Sequence, residues 1–257
     1  MSVLDEIIAG VREDLATRRG SMDQILEAVE KANPVKDAVV ALKGDKIRVI
    51  AEVKRSSPSK GQLAQILDPA ELAKSYEAAG ASAVSVLTES RRFGGSLKDL
   101  DVVRSAVNVP VLRKDFMVDE YQFYEARAHG ADIILLIVAA LSKNQLHDFA
   151  DLTKSLGMHA LIEVHTEDEL IRALEISPSI VGVNSRNLKT LEVDPQVFSS
   201  LIPQIPENII RVAESGISSA DDVGFAKKCG ANAVLVGETL VKGSDVALTM
   251  RTLLAQG

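Results

Sequence analysis

The chain carries a single cysteine, Cys229, among 257 residues, which excludes an internal disulfide and fits a reducing compartment. That thiol ends the stretch KKCG, which reads as a helix C-terminus, so a packing role is expected for it rather than a nucleophilic one. Positive charge is also short. Lysine and arginine total 29 against 36 aspartates and glutamates, and a net charge of -7 argues against a general binder of nucleic acid or of anionic membranes. No segment approaches the roughly 20 consecutive apolar residues that a membrane helix needs. The opening MSVLDEIIAGVREDLATRRG mixes acids with apolar residues and has no basic n-region, so a cytoplasmic protein is expected. Also missing are a Gly-rich dinucleotide fingerprint after any early strand, a Ser/His/Asp order and a metal-ligand spacing.

What the chain does have is apolar residues at 46% and charged residues at 25%, enough for a large core. One phrase keeps returning: AAGASAVSVLTE (78 to 89), AHGADIILLIVAA (128 to 140) and KCGANAVLVGE (228 to 238), with a degenerate copy in SLGMHALIEVH (155 to 165). Each places a glycine where a helix ends in a left-handed cap, then an apolar, β-branched run suited to a strand buried on both faces. The same rule predicts eight strands, at 47–53, 83–88, 109–114, 133–138, 159–164, 180–184, 209–213 and 233–237. Amphipathic helices separate them; in DPAELAKSYEAAG (68 to 80) an Asp cap and a first-turn Pro precede Leu72, Tyr76 and Ala79 on one side. Eight alternating units predict a (β/α)8 barrel of the α/β class, with an open doubly wound sheet as the rival. With no low-complexity linker, 1–257 reads as one barrel domain. Residues 1–45 are a helical extension (2 to 17, then 21 to 32) expected to pack over one barrel end.

In such a barrel the chemistry gathers at the C-terminal ends of strands. Here those ends carry Glu52 and Lys54, Lys114, Glu163, Asn184 with Arg186, and Glu214. Side chains alternate across a strand, so pointing Glu52 inward also points Ile50 and Lys54 inward and leaves Ala51 and Val53 to the helices. The same count pairs Leu112 with Lys114, Leu161 with Glu163 and Gly182 with Asn184. Lysines and glutamates converging on one mouth shift one another's proton affinities, the condition for acid and base catalysis near neutral pH. A salt-bridge network that merely closes the barrel top is the bland alternative, and it would require several costly burials of charge.

Phosphate is a second theme. The turns ESGI (214 to 217) and VGE (236 to 238) follow strands seven and eight, where barrels often hold a phosphate on backbone N–H groups, near a helix start such as GSDVA. Ser57 could add a hydroxyl. Plain turn glycines are the bland reading of Gly216 and Gly237. Phe93 and Phe116 could wall a planar ring or simply pack. Of the histidines, His129, His147 and His159 look structural, while His165 could line the mouth but has no partner visible in the sequence.

The ordered set EVKRSSPSKG, TESRRFGGSLKDL, VLRKDF, LLIVAAL, LIEVH, VGVNSRNLKTLEVD, VAESGI and VLVGETL resembles the indole-3-glycerol phosphate synthase family across roughly residues 47 to 240, and the helical extension is similar too. The resemblance implies ring closure of 1-(2-carboxyphenylamino)-1-deoxyribulose 5-phosphate with loss of carbon dioxide and water, without cofactor or metal. It implies Lys114 as general acid, Glu163 as the proton carrier of the dehydration, and Lys54 as carboxylate anchor or second acid. Glu52 would hold the lysines and Asn184 the intermediate. Phe116, Leu135, Arg186 and Leu188, with Phe93, would line the anthranilate end. Ser57, Ser215, Gly216, Gly237 and Glu238, beside Glu214, would bind the sugar phosphate. A monomer is expected, since no exposed apolar seam stands out. An isomerase using an Asp and Cys pair and a catalytically silent barrel are the remaining alternatives.

Overall fold

The computed structural model describes residues 2–188, 190–243 and 245–256. Eight parallel strands, β1 (Arg48–Val53), β2 (Ala83–Leu87), β3 (Val111–Lys114), β4 (Ile133–Ile137), β5 (His159–Val164), β6 (Ile180–Asn184), β7 (Ile210–Glu214) and β8 (Ala233–Val236), form a closed barrel in which β1 pairs with both β2 and β8. Closure removes the open-sheet rival. The extension comprises α1 (Val3–Arg18), α2 (Met22–Lys31) and α3 (Ala38–Leu42); α4 (Pro69–Ala78), α5 (Leu97–Ala106), α6 (Tyr121–Ala128), α7 (Lys143–Ser155), α8 (Glu167–Glu175), α9 (Gln196–Leu201) and α10 (Ala220–Lys228) join the strands. Two short helices, α11 (Glu238–Lys242) and α12 (Val246–Leu253), follow β8.

The recurring Gly-Ala phrase is a structural repeat. Gly130 takes φ +77 at the end of α6, its N–H donates to Arg127 O, and the next N–H, from Ala131, reaches back to Ala126 O. The same pair of bonds recurs at Ala81, Met158 and Ala231, so each copy ends a helix with a left-handed residue and turns the chain into the next strand. Inside the barrel, Ile50, Leu112, Leu161, Ile180 and Val212 form the apolar floor; Ala51, Val53, Leu136 and Val183 pack outward under the helices. The predicted alternation therefore holds in register.

Strand ends differ from expectation. β3 starts at Val111 because Pro110 has no N–H to give the ladder, and Val84 instead donates to its carbonyl. Thr88, Val138 and Gly237 fall outside strands, whereas Glu214 ends β7 as part of the sheet. The extension serves both ends of the barrel. Leu4 and Ile7 of α1 reach the mouth, while the unforeseen α3 inserts Ala38 and Leu42 with the inner layer near the opposite end, tied down where Lys36 N–H donates to Asp132 Oδ1 at 2.7 Å.

Candidate active site

Glu52, Lys54, Lys114, Glu163, Asn184 and Glu214 line one cavity of about 890 Å³ at the C-terminal mouth. Lys54 Nζ lies 2.7 Å from Glu52 Oε1, and Ser85 donates to the other Glu52 oxygen at 3.3 Å. Lys114 Nζ donates to Glu163 Oε2 at 3.0 Å and lies 3.5 Å from Glu214 Oε2. The two lysines are therefore held separately: Glu52 takes Lys54 directly and acts on Lys114 only through its charge.

Burial alone would discharge these groups, and their mutual placement reverses that. Burial disfavours the Lys114 ammonium, but Glu163, Glu214 and Glu52 together raise its proton affinity well above the ordinary lysine value. Burial also disfavours the Glu163 carboxylate, yet Lys114 and His165 hold it far below the usual range. Glu214 goes the other way. Burial lifts it to about 8, with Lys114 opposing and Glu163 adding to the rise, so of two adjacent carboxyl groups one stays charged and the other keeps a proton at neutral pH.

Two glycines make room for this cluster. A Cβ on Gly182 would lie 2.0 Å from Glu214 Oε1, and one on Gly237 would lie 2.6 Å from Glu52 Oε1. Gly182→Ala is therefore expected to cost about 1–3 kcal/mol by overpacking and, by pushing Glu214 aside, to lower turnover about tenfold; thermal melting and kcat check both, and an unchanged kcat would show that the Glu214 placement is immaterial.

The expected anion end lies in the same cavity. Ser57, Ser215, Gly216, Gly237 and Glu238 all line it. Ser215 and Gly216 take φ +65 and +73; the serine carries backbone strain there that the glycine does not. The Glu238 carboxylate is held 2.7 Å from both Lys60 and Lys242. Of GSDVA, Ser244 lies outside the described residues, and the Asp245 side chain already caps α12 by accepting from Leu248 N–H. That helix start is thus occupied.

The same cavity has an apolar wall. Phe93 and Phe116 meet with ring centroids 6.1 Å apart, and Leu135 and Leu188 line the cavity beside them. Val3, Leu4 and Ile7 of α1 complete it, a contribution that no local signal in the sequence announces. Arg186 reaches across the mouth to Ser59 Oγ at 3.1 Å, and Asn184 Oδ1 accepts from its main-chain N–H.

Cys229 caps α10, half-buried and away from the cavity lining. His129 pairs with Asp101, and His159 lies 3.6 Å from Asp37 near the opposite barrel end. His165 does have partners, contrary to expectation: Glu169 of α8 and Glu163. The spacing EVHTEDE carries the signal, since Glu169 at the first turn of α8 comes back over the residue that precedes its Thr166 cap.

The model of the indole-3-glycerol phosphate synthase family matches residues 4–253. The chain is 57% identical to indole-3-glycerol phosphate synthase 1 of Streptomyces coelicolor, across all of this chain and 96% of that protein. It is 56% identical to the enzyme of the same name from Kineococcus radiotolerans, with the same coverage. Among solved structures, a thiamine phosphate pyrophosphorylase from Pyrococcus furiosus superposes with a TM-score of 0.61 over 80% of this chain and 93% of that one, at 14% identity, which speaks for the barrel fold alone. With the family's motifs gathered around one cavity and full-length relatives above half identity, the chain belongs to the indole-3-glycerol phosphate synthase family.

Proposed function

We propose that this chain converts 1-(2-carboxyphenylamino)-1-deoxyribulose 5-phosphate to indole-3-glycerol phosphate, carbon dioxide and water, as a carboxy-lyase of tryptophan biosynthesis. The observation that carries the reading is that one cavity is lined at once by apolar and aromatic side chains, by the lysine and carboxylate cluster, and by the glycine turns. Phe93, Phe116, Leu135 and Leu188 hold the anthranilate ring, and Lys54 or Arg186 meets its carboxylate. The phosphate lies against Ser57 and the backbone at Ser215, Gly216, Gly237 and Glu238, where N–H groups suit an anion.

The substrate thus spans the cavity with its ketone at Lys114. As the ring carbon bearing the carboxylate attacks that ketone, the oxygen gains negative charge and takes the Lys114 proton. Loss of carbon dioxide then restores the aromatic ring. The new hydroxyl takes up a second proton from solvent and leaves as water, while Glu163 accepts the proton lost from the neighbouring carbon as the ring double bond forms, and Asn184 hydrogen-bonds the intermediate. Incubating the chain with this substrate is expected to give a product with indole fluorescence, and no such product would overturn the reading.

The Glu214 proton gives this reading a pH signature. Adjacent carboxyl groups titrate as a pair, and this pair loses its last proton as pH rises through about 8. Activity is expected to fall along that limb, because a second negative charge beside Glu163 binds Lys114 more tightly and withholds its proton. Glu214→Gln keeps the neutral form at every pH, so it is expected to stay within about tenfold of the parent rate at pH 7 and to lose the limb. A limb that persists in that variant would assign it to another group.

A further inference from the structure

We infer that His165, anchored by Glu169, is a positioning residue that clamps the Glu163 carboxylate from the side opposite Lys114. The inference rests on the role of Glu163 proposed above. Glu163 presents Oε2 to Lys114 at 3.0 Å and Oε1 to His165 Nε2 at 3.4 Å, so its two oxygens face an ammonium and an imidazole nitrogen. The histidine side chain is only 8% exposed. Glu169 Oε2 accepts from the His165 main-chain N–H at 2.7 Å and lies 3.0 Å from Nδ1, which fixes the ring against the first turn of α8.

Both ring nitrogens thus face carboxylate oxygens. A neutral imidazole has one N–H and one lone pair, and either tautomer would aim that lone pair at a carboxylate; only the imidazolium avoids it. The charges around the ring are Glu163 on its own strand and Glu169 on α8, with Lys114, Glu214 and Glu52 beyond Glu163. Burial opposes the charged ring, but the two glutamates raise it to about 9. The buried Nε2 makes no hydrogen bond in this arrangement. It is a donor held beside Glu163.

The clamp matters at one moment of the cycle. When Lys114 has given up its proton, Glu163 loses its nearest cation while still buried. An imidazolium at Oε1 keeps the carboxylate charged and in place to accept the proton of the dehydration.

Two measurements test this. Nitrogen-15 NMR of the histidine rings in the parent needs no turnover, so it stands or falls apart from the proposed function; His165 is expected to stay doubly protonated through pH 8, and titration near the ordinary value of about 6.5 would overturn the inference. Kinetically, His165→Asn is expected to lower kcat about 10- to 100-fold with KM within about threefold. The limb near pH 8 should move up by about one unit, since an opposite charge nearby depresses carboxyl groups by that much or more. A loss of kcat with an unmoved pH profile, or a loss confined to KM, would reduce the histidine to a packing role. Should that variant fail to fold, Glu169→Gln keeps the shape and is expected to move the ring's titration down and the limb up; no movement of either contradicts the clamp.

Discussion

Lys114→Ala is expected to lower kcat by about 10²- to 10⁴-fold, the contribution of one positioned general acid, with a much smaller change in KM. The Glu163 and Glu52 carboxylates, with the Glu214 carboxyl beside them, outweigh burial and hold the proton affinity of this ammonium well above the ordinary lysine value. Every resting molecule is therefore armed. The same carboxylates would make it a reluctant acid towards a ketone, but the oxygen it serves becomes an alkoxide as the ring closes, and an alkoxide is a far stronger base. Lys114→Arg should not rescue the rate, because a guanidinium keeps its proton and spreads its charge over a planar fork that does not fit a site shaped for a point charge. Lys54 offers the contrast. It sits 2.7 Å from Glu52 at the more open rim, its side chain 20% exposed, where it or Arg186 meets the substrate carboxylate in the function proposed above. Lys54→Ala should raise KM more than it lowers kcat. Steady-state kinetics of the three variants decide between the lysines, and a Lys114→Ala enzyme within tenfold of the parent would remove Lys114 from the acid's role.

Much of this site was legible because a barrel converts strand position into spatial position. The Gly-Ala phrase marks where each helix stops, the alternation of side chains says which residue faces in, and the C-terminal strand end says how deep it lies. Those three rules placed Glu52, Lys114, Glu163, Asn184 and Glu214 around one mouth without any knowledge of partners. What they do not give is who pairs with whom. Glu52 and Lys54 stand close in sequence and in space, but the Lys114 partner was decided by the roll of the barrel, which sets Glu163 and Glu214 across from it. Glu163 aligns with Gly182 in the sheet and Asn184 aligns with Glu214, so the missing Cβ at Gly182 and the carboxylate that uses its space come from neighbouring strands.

The extension was legible as helices and not as function. Its caps are local, as Ser2 shows by exchanging hydrogen bonds with Asp5 at the start of α1. Its destination is not local. Glu6, Glu13 and Asp14 of α1 grip Arg92 and Arg91, in the loop that carries Phe93, through pairs separated by more than 75 positions. Nothing within RRFGG itself points to the helix that its arginines bind.

Arg113→Met is expected to destabilise the fold by about 3–5 kcal/mol, although it removes a residue that faces away from the cavity. Arg113 is wholly buried, next in the chain to Lys114 but on the outer face of β3. Its guanidinium lies 2.9 Å from Glu125 Oε2 and 3.1 Å from Asp115 Oδ2, and it also donates to the Gln122 carbonyl and to Thr88. Both carboxylates are themselves buried, so removing the arginine leaves two charges whose desolvation is not offset in full; Arg18 of α1 still pairs with Glu125, but among the described residues no second cation pairs directly with Asp115, which Arg18 affects only through its charge. Asp115 also accepts from the Phe116 N–H, so the loss reaches the end of β3 at Lys114 and the loop that carries Phe116. For a chain of this length, that energy corresponds to a fall in melting temperature of roughly 6–20 °C. Adding Glu125→Gln to Arg113→Met should cost less than the sum of the single changes, because the second substitution removes one of the stranded charges. Denaturant midpoints for the two single variants and the double variant measure the coupling, and strictly additive losses would mean that Arg113 acts through its packing and not through the charges it holds.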